Sequence, residues 1–150
     1  MMSPNETERR NWMAVLARAS AQDLRARLDD APDLPAHTVL RGPESGLVMV
    51  RGRTGGTGSA FNLGEMTVTR CTVRSETGFT GHAYIAGRDG ARAELAARLD
   101  AALQDPALHD AVARAVVAPL AEAQDGVRET VARQAAATRV QFFTMANMRG

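Results

Sequence analysis

Apolar residues in the first thirty positions recur at helical spacing. Trp12, Val15, Leu16 and Ala19 share one side of a 3.6-residue repeat, and Ser3-Pro4-Asn5-Glu6 ahead of them has a capping-box pattern with proline at the first helical position. Ser20-Ala21-Gln22-Asp23 repeats the cap signal and restarts a short helix through Leu24 and Leu28. Two short helices are therefore expected, followed by a loop over 29–35 rich in Pro and Asp.

From His37 the period shortens and β-branched residues and glycine concentrate. Four strands are predicted, at 37–41, 47–53, 65–74 and 79–87. The clearest run sets Met66, Val68, Arg70 and Thr72 on one face and Thr67, Thr69, Cys71 and Val73 on the other. Neither face is purely apolar, as in a strand with one side on a core and the other against a partner or an Arg-lined surface. The intervening turn signals, Gly42-Pro43-Glu44-Ser45-Gly46 and Ser75-Glu76-Thr77-Gly78, are short and favour antiparallel hairpins.

After Asp89 the helical period returns. Asp89 caps a helix with Leu95, Leu99, Ala102 and Leu103 on one side, and Asp105-Pro106 caps the next, with Leu108, Val112 and Val116 inward. Pro119 is expected to end that helix. A last one over about 121–139 carries Val127, Val131, Ala135 and Thr138 on one stripe, with Glu129 and Arg133 paired on its outside. The expected fold is α+β: one domain over 1–150, with an antiparallel sheet of about four strands flanked by N-terminal and C-terminal helices.

Composition narrows the chemistry. The chain has 150 residues, ordinary for a single domain, and a net charge of +1, too small to hold it on nucleic acid or an anionic membrane by field alone. All 18 basic residues are arginine. The absence of lysine excludes Schiff-base chemistry and the lysine of a P-loop. Cys71 is the only cysteine, so neither an internal disulfide nor a Cys-based zinc site can form, in keeping with a reducing cytoplasm. The first residues lack the basic start and apolar run of a signal peptide, and no apolar stretch reaches the roughly 20 residues of a membrane span.

Candidate sites are few. Gly55, Gly56 and Gly58, beside Arg53, could present backbone N–H groups to a phosphate or simply form a turn between strands. Arg88 precedes a helix start and could join a small anion site, but Gly87-Arg88-Asp89-Gly90 also reads as a turn with an Asp cap. His37, His82 and His109 are scattered without metal-ligand spacing, and Cys71 has no histidine near it in sequence. No nucleophile, base and orienting group stand together, so no catalytic residue is assigned. Phe142, Phe143 and Met145 near the C-terminus either fold back on the sheet or anchor a partner. A DNA-reading role for the N-terminal helices is disfavoured, since the second offers only Arg25 and Arg27 before two aspartates.

Three segments in order resemble the PhnG family of the bacterial carbon-phosphorus lyase system. They are Arg10-Asn11-Trp12-Met13-Ala14-Val15-Leu16-Ala17, the run from Gly46 through Arg51-Gly52-Arg53-Thr54-Gly55-Gly56-Thr57-Gly58, and Gly64-Glu65-Met66-Thr67-Val68-Thr69-Arg70. Gly87-Arg88-Asp89, Ala118-Pro119-Leu120 and Thr138 to Met145 extend the match over almost the whole chain.

The resemblance implies a cytoplasmic accessory subunit of a hetero-oligomeric core with PhnI as nearest partner, PhnH and PhnJ beside it, and PhnL and PhnK associated. With PhnH, PhnI and PhnL such a subunit supports transfer of the ribose triphosphate of ATP to an alkylphosphonate, releasing adenine. ATP is a substrate of the complex; no cofactor is expected on this chain alone. Two roles stay open: the glycine-rich strand region and the Phe142-Phe143 tail as the contact with PhnI, or Arg53, the Gly55 to Gly58 loop and Arg88 as direct phosphate or phosphonate contacts.

Overall fold

The computed structural model describes residues 5–53 and 60–149, apart from the side chains of 53, 60–63 and 140–149. Helix α1 (Glu6–Arg18) starts one residue after Asn5, whose side chain accepts from the Glu8 N–H at 2.7 Å. The cap is thus Asn5; Ser3 and Pro4 of the expected capping box lie outside the described residues. Ser20 caps α2 (Ala21–Leu28) as predicted, accepting from the Asp23 N–H.

Three antiparallel strands follow in the order β1 (His37–Arg53), β2 (Ala60–Ser75) and β3 (Thr80–Ala86). The α+β class holds, with one fewer strand among the described residues than the local signals suggest. The runs at 37–41 and 47–53 belong to one strand, because both pair with β2, from His37 opposite Ser75 to Arg53 opposite Ala60. Gly42-Pro43 makes an irregularity instead of a hairpin: the register shifts between Val39 and Arg41 and again between Arg41 and Glu44. Gly42 has φ of 78°, and a Cβ there would crowd the Arg70 carbonyl at 2.6 Å, so glycine is required.

Helix α3 (Gly90–Gln104), capped by the Asp89 side chain on the Arg92 N–H at 3.0 Å, lies across β2 and β3. Thr69, Cys71 and Val73 are buried on the face of β2 that meets the helices and Met66 and Arg70 are exposed on the other, where Val68 departs from the alternation by being buried as well. The approach is closest at Gly81, where any Cβ would fall on the Ala97 carbonyl oxygen. α1 packs beside α3, and the core joins Trp12, Leu16, Leu24, Val73, Ile85, Leu99 and Leu103.

The rest of the chain is one helical run: α4 (His109–Val112), a π-helical turn (Ala113–Val117) and α5 (Ala118–Arg149). Asp105 accepts from the Ala107 N–H in a turn ahead of α4 and does not cap it; Leu108 holds the cap position. Pro119 does not end the helix as expected. It falls in the first turn after the wide π-turn, where the hydrogen-bond pattern is already interrupted and its missing N–H costs little. Val112, Val116 and Leu120 are buried, and beyond Gln124 every residue to Arg139 is exposed.

At the joint of α1, α3 and β3, the fully buried Asp100 carboxylate accepts from Arg9 Nε (3.2 Å) and Nη2 (2.9 Å), Trp12 Nε1 (2.8 Å) and the His82 backbone N–H (2.9 Å). The hydrogen bond to Asp100 pushes the Arg9 guanidinium above its ordinary value, against the opposing effect of burial. Replacement Asp100→Ala strands the donors of Arg9, Trp12 and His82, and about 3 kcal/mol of unfolding free energy should be lost in denaturant titration. Gly81→Ala, which drives a methyl into α3, should cost roughly as much.

Candidate functional site

Each of the three histidines has one ring nitrogen bonded within the fold, and His82 is exposed. His37 Nε2 meets Glu94 at 3.1 Å, His82 Nδ1 meets the Thr72 hydroxyl at 3.1 Å, and His109 Nδ1 meets the Leu103 carbonyl at 2.8 Å, its ring tilted against that of Trp12. Among the described residues no three His, Cys, Asp or Glu side chains are grouped to hold a metal ion. Cys71 is buried in the sheet; burial pushes its thiol above the usual range, and Glu94 adds to that. A thiol kept in its protonated form and out of solvent is a poor nucleophile.

The strands start Arg53 and Arg88 from backbone positions far apart. Arg53 pairs with Ala60 at one end of β2, whereas Ala86, two residues before Arg88, pairs with Val68. At a rise of about 3.3 Å per residue, those positions on β2 lie on the order of 26 Å apart. Gly55, Gly56 and Gly58 fall outside the described residues. Asp89 acts as the helix cap, with Arg88 exposed next to it.

Two depressions on the surface are small. One of about 240 Å³ on the open sheet face is lined by Glu44, Val68, Arg70 and Tyr84, and there Arg70, seconded by Arg41, holds the Glu44 carboxyl below its usual range. Another of about 320 Å³ lies where α5 leaves the body, between Arg18, Asp23, Leu120, Gln124 and Val127. Ligand pockets usually enclose roughly 300–1,000 Å³ around convergent polar groups. These two sit at or below the lower end, and neither gathers a catalytic set.

What the chain does display is uncovered apolar surface on two extensions. The first is the ribbon formed where β1 and β2 run on past the end of β3: Leu47, Met49 and Met66 are 62%, 52% and 42% exposed. The second is α5, whose stripe continues from the buried Leu120 into Val127 and Val131, 64% and 59% exposed. Sequence periodicity identifies that stripe without saying what covers it. In the described structure Val127 and Val131 are exposed beyond Gln124, whose Nε2 ties the helix to the Val15 carbonyl at 3.0 Å. Phe142, Phe143 and Met145 occur further along the same helix, with Phe142 roughly 27 Å past Gln124 at 1.5 Å per residue. Among the described residues no helix is long and apolar enough to cross a membrane.

A family model described as "Phosphonate metabolism protein PhnG" matches residues 7–150. A protein of Rhizobium meliloti (strain 1021), named alpha-D-ribose 1-methylphosphonate 5-triphosphate synthase subunit PhnG, is 49% identical over 138 residues, covering 92% of this chain and 88% of that protein.

The state of Cys71 is open to direct measurement. Native protein treated with iodoacetamide near neutral pH should remain unmodified by intact mass, and the same protein in denaturant should gain one adduct. Rapid alkylation of the folded chain would contradict the buried, protonated thiol.

Proposed function

The chain belongs to the PhnG family of phosphonate metabolism proteins, and from that footing we propose that it is an accessory subunit of an alpha-D-ribose 1-methylphosphonate 5-triphosphate synthase. In this reading it works in the cytoplasm with PhnH, PhnI and PhnL. The bond between ribose C1′ and adenine is exchanged for one to an alkylphosphonate oxygen, and adenine leaves. The observation that carries the reading is the 49% identity, spread over nearly the full length of both chains, to a protein bearing that subunit name. The two uncovered extensions support it, since exposed apolar stripes mark surfaces that other chains cover.

PhnI is the proposed nearest partner, with PhnH and PhnJ in the same core and PhnL and PhnK associated. α5 is the proposed main anchor: it presents Val127 and Val131 at helical spacing and carries Phe142, Phe143 and Met145 further along, a residue set common at interface centres. Co-expression with PhnH and PhnI homologues, size-exclusion chromatography and an assay of adenine release, with PhnL added, tests the reading. A complex whose adenine release depends on this chain is the expected result, and full activity without it would refute the proposal.

Within that complex, Val127→Asp combined with Val131→Asp should weaken assembly at least about tenfold and leave the melting temperature of the isolated chain nearly unchanged, because both side chains are mostly exposed. Deletion of 141–150 should weaken assembly in the same way.

A direct ligand role has one supporting feature: Arg88 is exposed next to the start of α3, although the Asp89 carboxylate between them already caps that helix. If it touches phosphate, Arg88→Ala raises the KM for ATP or phosphonate in an intact complex. Unchanged kinetics would leave anchoring as the chain's role.

A further inference from the structure

Hydrogen-bond parity shows which main-chain groups of the sheet are still free. The Gly87 N–H donates to the Thr67 carbonyl at 2.8 Å and the Ser75 N–H to the Phe79 carbonyl at 2.9 Å, so odd-numbered residues of β2 turn their backbone groups toward β3. Even-numbered ones turn toward β1. Since Gly46 is opposite Val68 and Val48 opposite Met66, the even positions of β1 bond to β2, and Ser45, Leu47 and Met49 aim N–H and C=O outward. Among the described residues none of these outward groups has a main-chain partner beyond the β1–β2 pair.

The other edge of the sheet is largely closed. On β3 the Thr80 carbonyl accepts from Gln104, the His82 N–H donates to Asp100, and the Ala86 carbonyl accepts from Arg92. The β1 edge is also protected over its first half, where Arg41, Pro43 and Glu44 supply charge and a missing N–H. From Ser45 to Val50 the chain reads Ser-Gly-Leu-Val-Met-Val, six residues with no charge and no proline. Unguarded edges of this kind aggregate unless something pairs with them.

We propose that β1 at Ser45, Leu47 and Met49 receives an extended segment of another subunit of the synthase as an added strand, with apolar side chains lying over Leu47 and Met49. Evenly spaced donors and acceptors along a free strand select an extended backbone, whereas a helix has already used its own. The occupant is a partner subunit and not a second copy of this chain for reasons of size. Three residues of edge bury far less than the about 1,200 Å² of a stable dimer, so the strand holds only where another contact, here α5, supplies the rest. The proposal rests on the reading of the chain as a subunit, and it concerns how the ribbon docks.

Two measurements on the co-expressed complex test it. Residue-resolved amide hydrogen exchange should slow on the order of tenfold or more at Leu47 and Met49 on assembly, while Val48, already bonded to β2, changes little. Leu47→Pro removes an outward N–H without breaking the β1–β2 ladder, as proline is tolerated on an edge, and should weaken assembly on the order of tenfold. Leu47→Thr, which keeps the N–H, should weaken it less. A complex that forms with unprotected Leu47 and Met49 amides would overturn the added strand and leave the subunit reading intact. Failure of the wild-type chain to assemble with any synthase subunit would overturn both. Protection of the same amides in the isolated chain as its concentration rises, with a dimer on size exclusion, would replace the partner subunit with a second copy.

Discussion

Asp100 is a charged group with no solvent exposure, and its position is possible only because several donors converge on it. Arg9 and Trp12 come from α1, the His82 N–H from β3, and Gln104 from one turn further along α3. A carboxylate taken out of water loses several kcal/mol of hydration, which only close, well-aligned partners restore. The three elements are therefore bound to one geometry, since displacing any of them leaves the charge underbonded. The same carboxylate closes part of the β3 edge, so the internal joint also determines which side of the sheet is left for other chains.

The arginine-only composition looks different beside that geometry. Arg9 forks onto both oxygens of Asp100, Arg92 donates through separate nitrogens to the Ala19 and Ala86 carbonyls, and Arg98 reaches the Pro35 carbonyl. A guanidinium can serve two acceptors in different directions from one planar group, and an ammonium holds such an arrangement less rigidly. Arg41 and Arg70 are engaged with Glu44. A good part of the basic charge thus holds segments of this chain together, which weakens any inference from arginine content to phosphate binding.

Local signals in the sequence were reliable where a short-range interaction decides the outcome. The Ser20 and Asp89 caps and the alternation through Cys71 and Val73 each depend on neighbours within a few residues. They failed where a distant segment decides. Gly42-Pro43 reads as a hairpin turn, but β2 is long enough to pair on both sides of it, and the ladder outweighs the turn preference. Pro119 reads as a helix stop, and the π-turn before it makes room for it. The stripe at Val127 and Val131 is legible as a stripe, while periodicity alone cannot say whether a core or another chain covers it. The separation of Arg53 from Arg88 is likewise a property of strand register, invisible until the pairing of β2 is known.

The body and its extensions divide the work. Helices α1 and α3 and the shared part of the sheet form a core whose buried groups are mostly satisfied, and this core fixes where the ribbon and α5 depart. Each extension alone is weak: a two-stranded ribbon is marginal in water, and a helix without tertiary contacts gains little from propensity. Surfaces of that kind gain order when another chain covers them, and the binding energy then stabilises the elements that form the contact. A chain built this way suits the proposed role of holding other subunits in place. For that role the joints of the body matter most, because a subunit that positions others must hold its own elements in a fixed geometry.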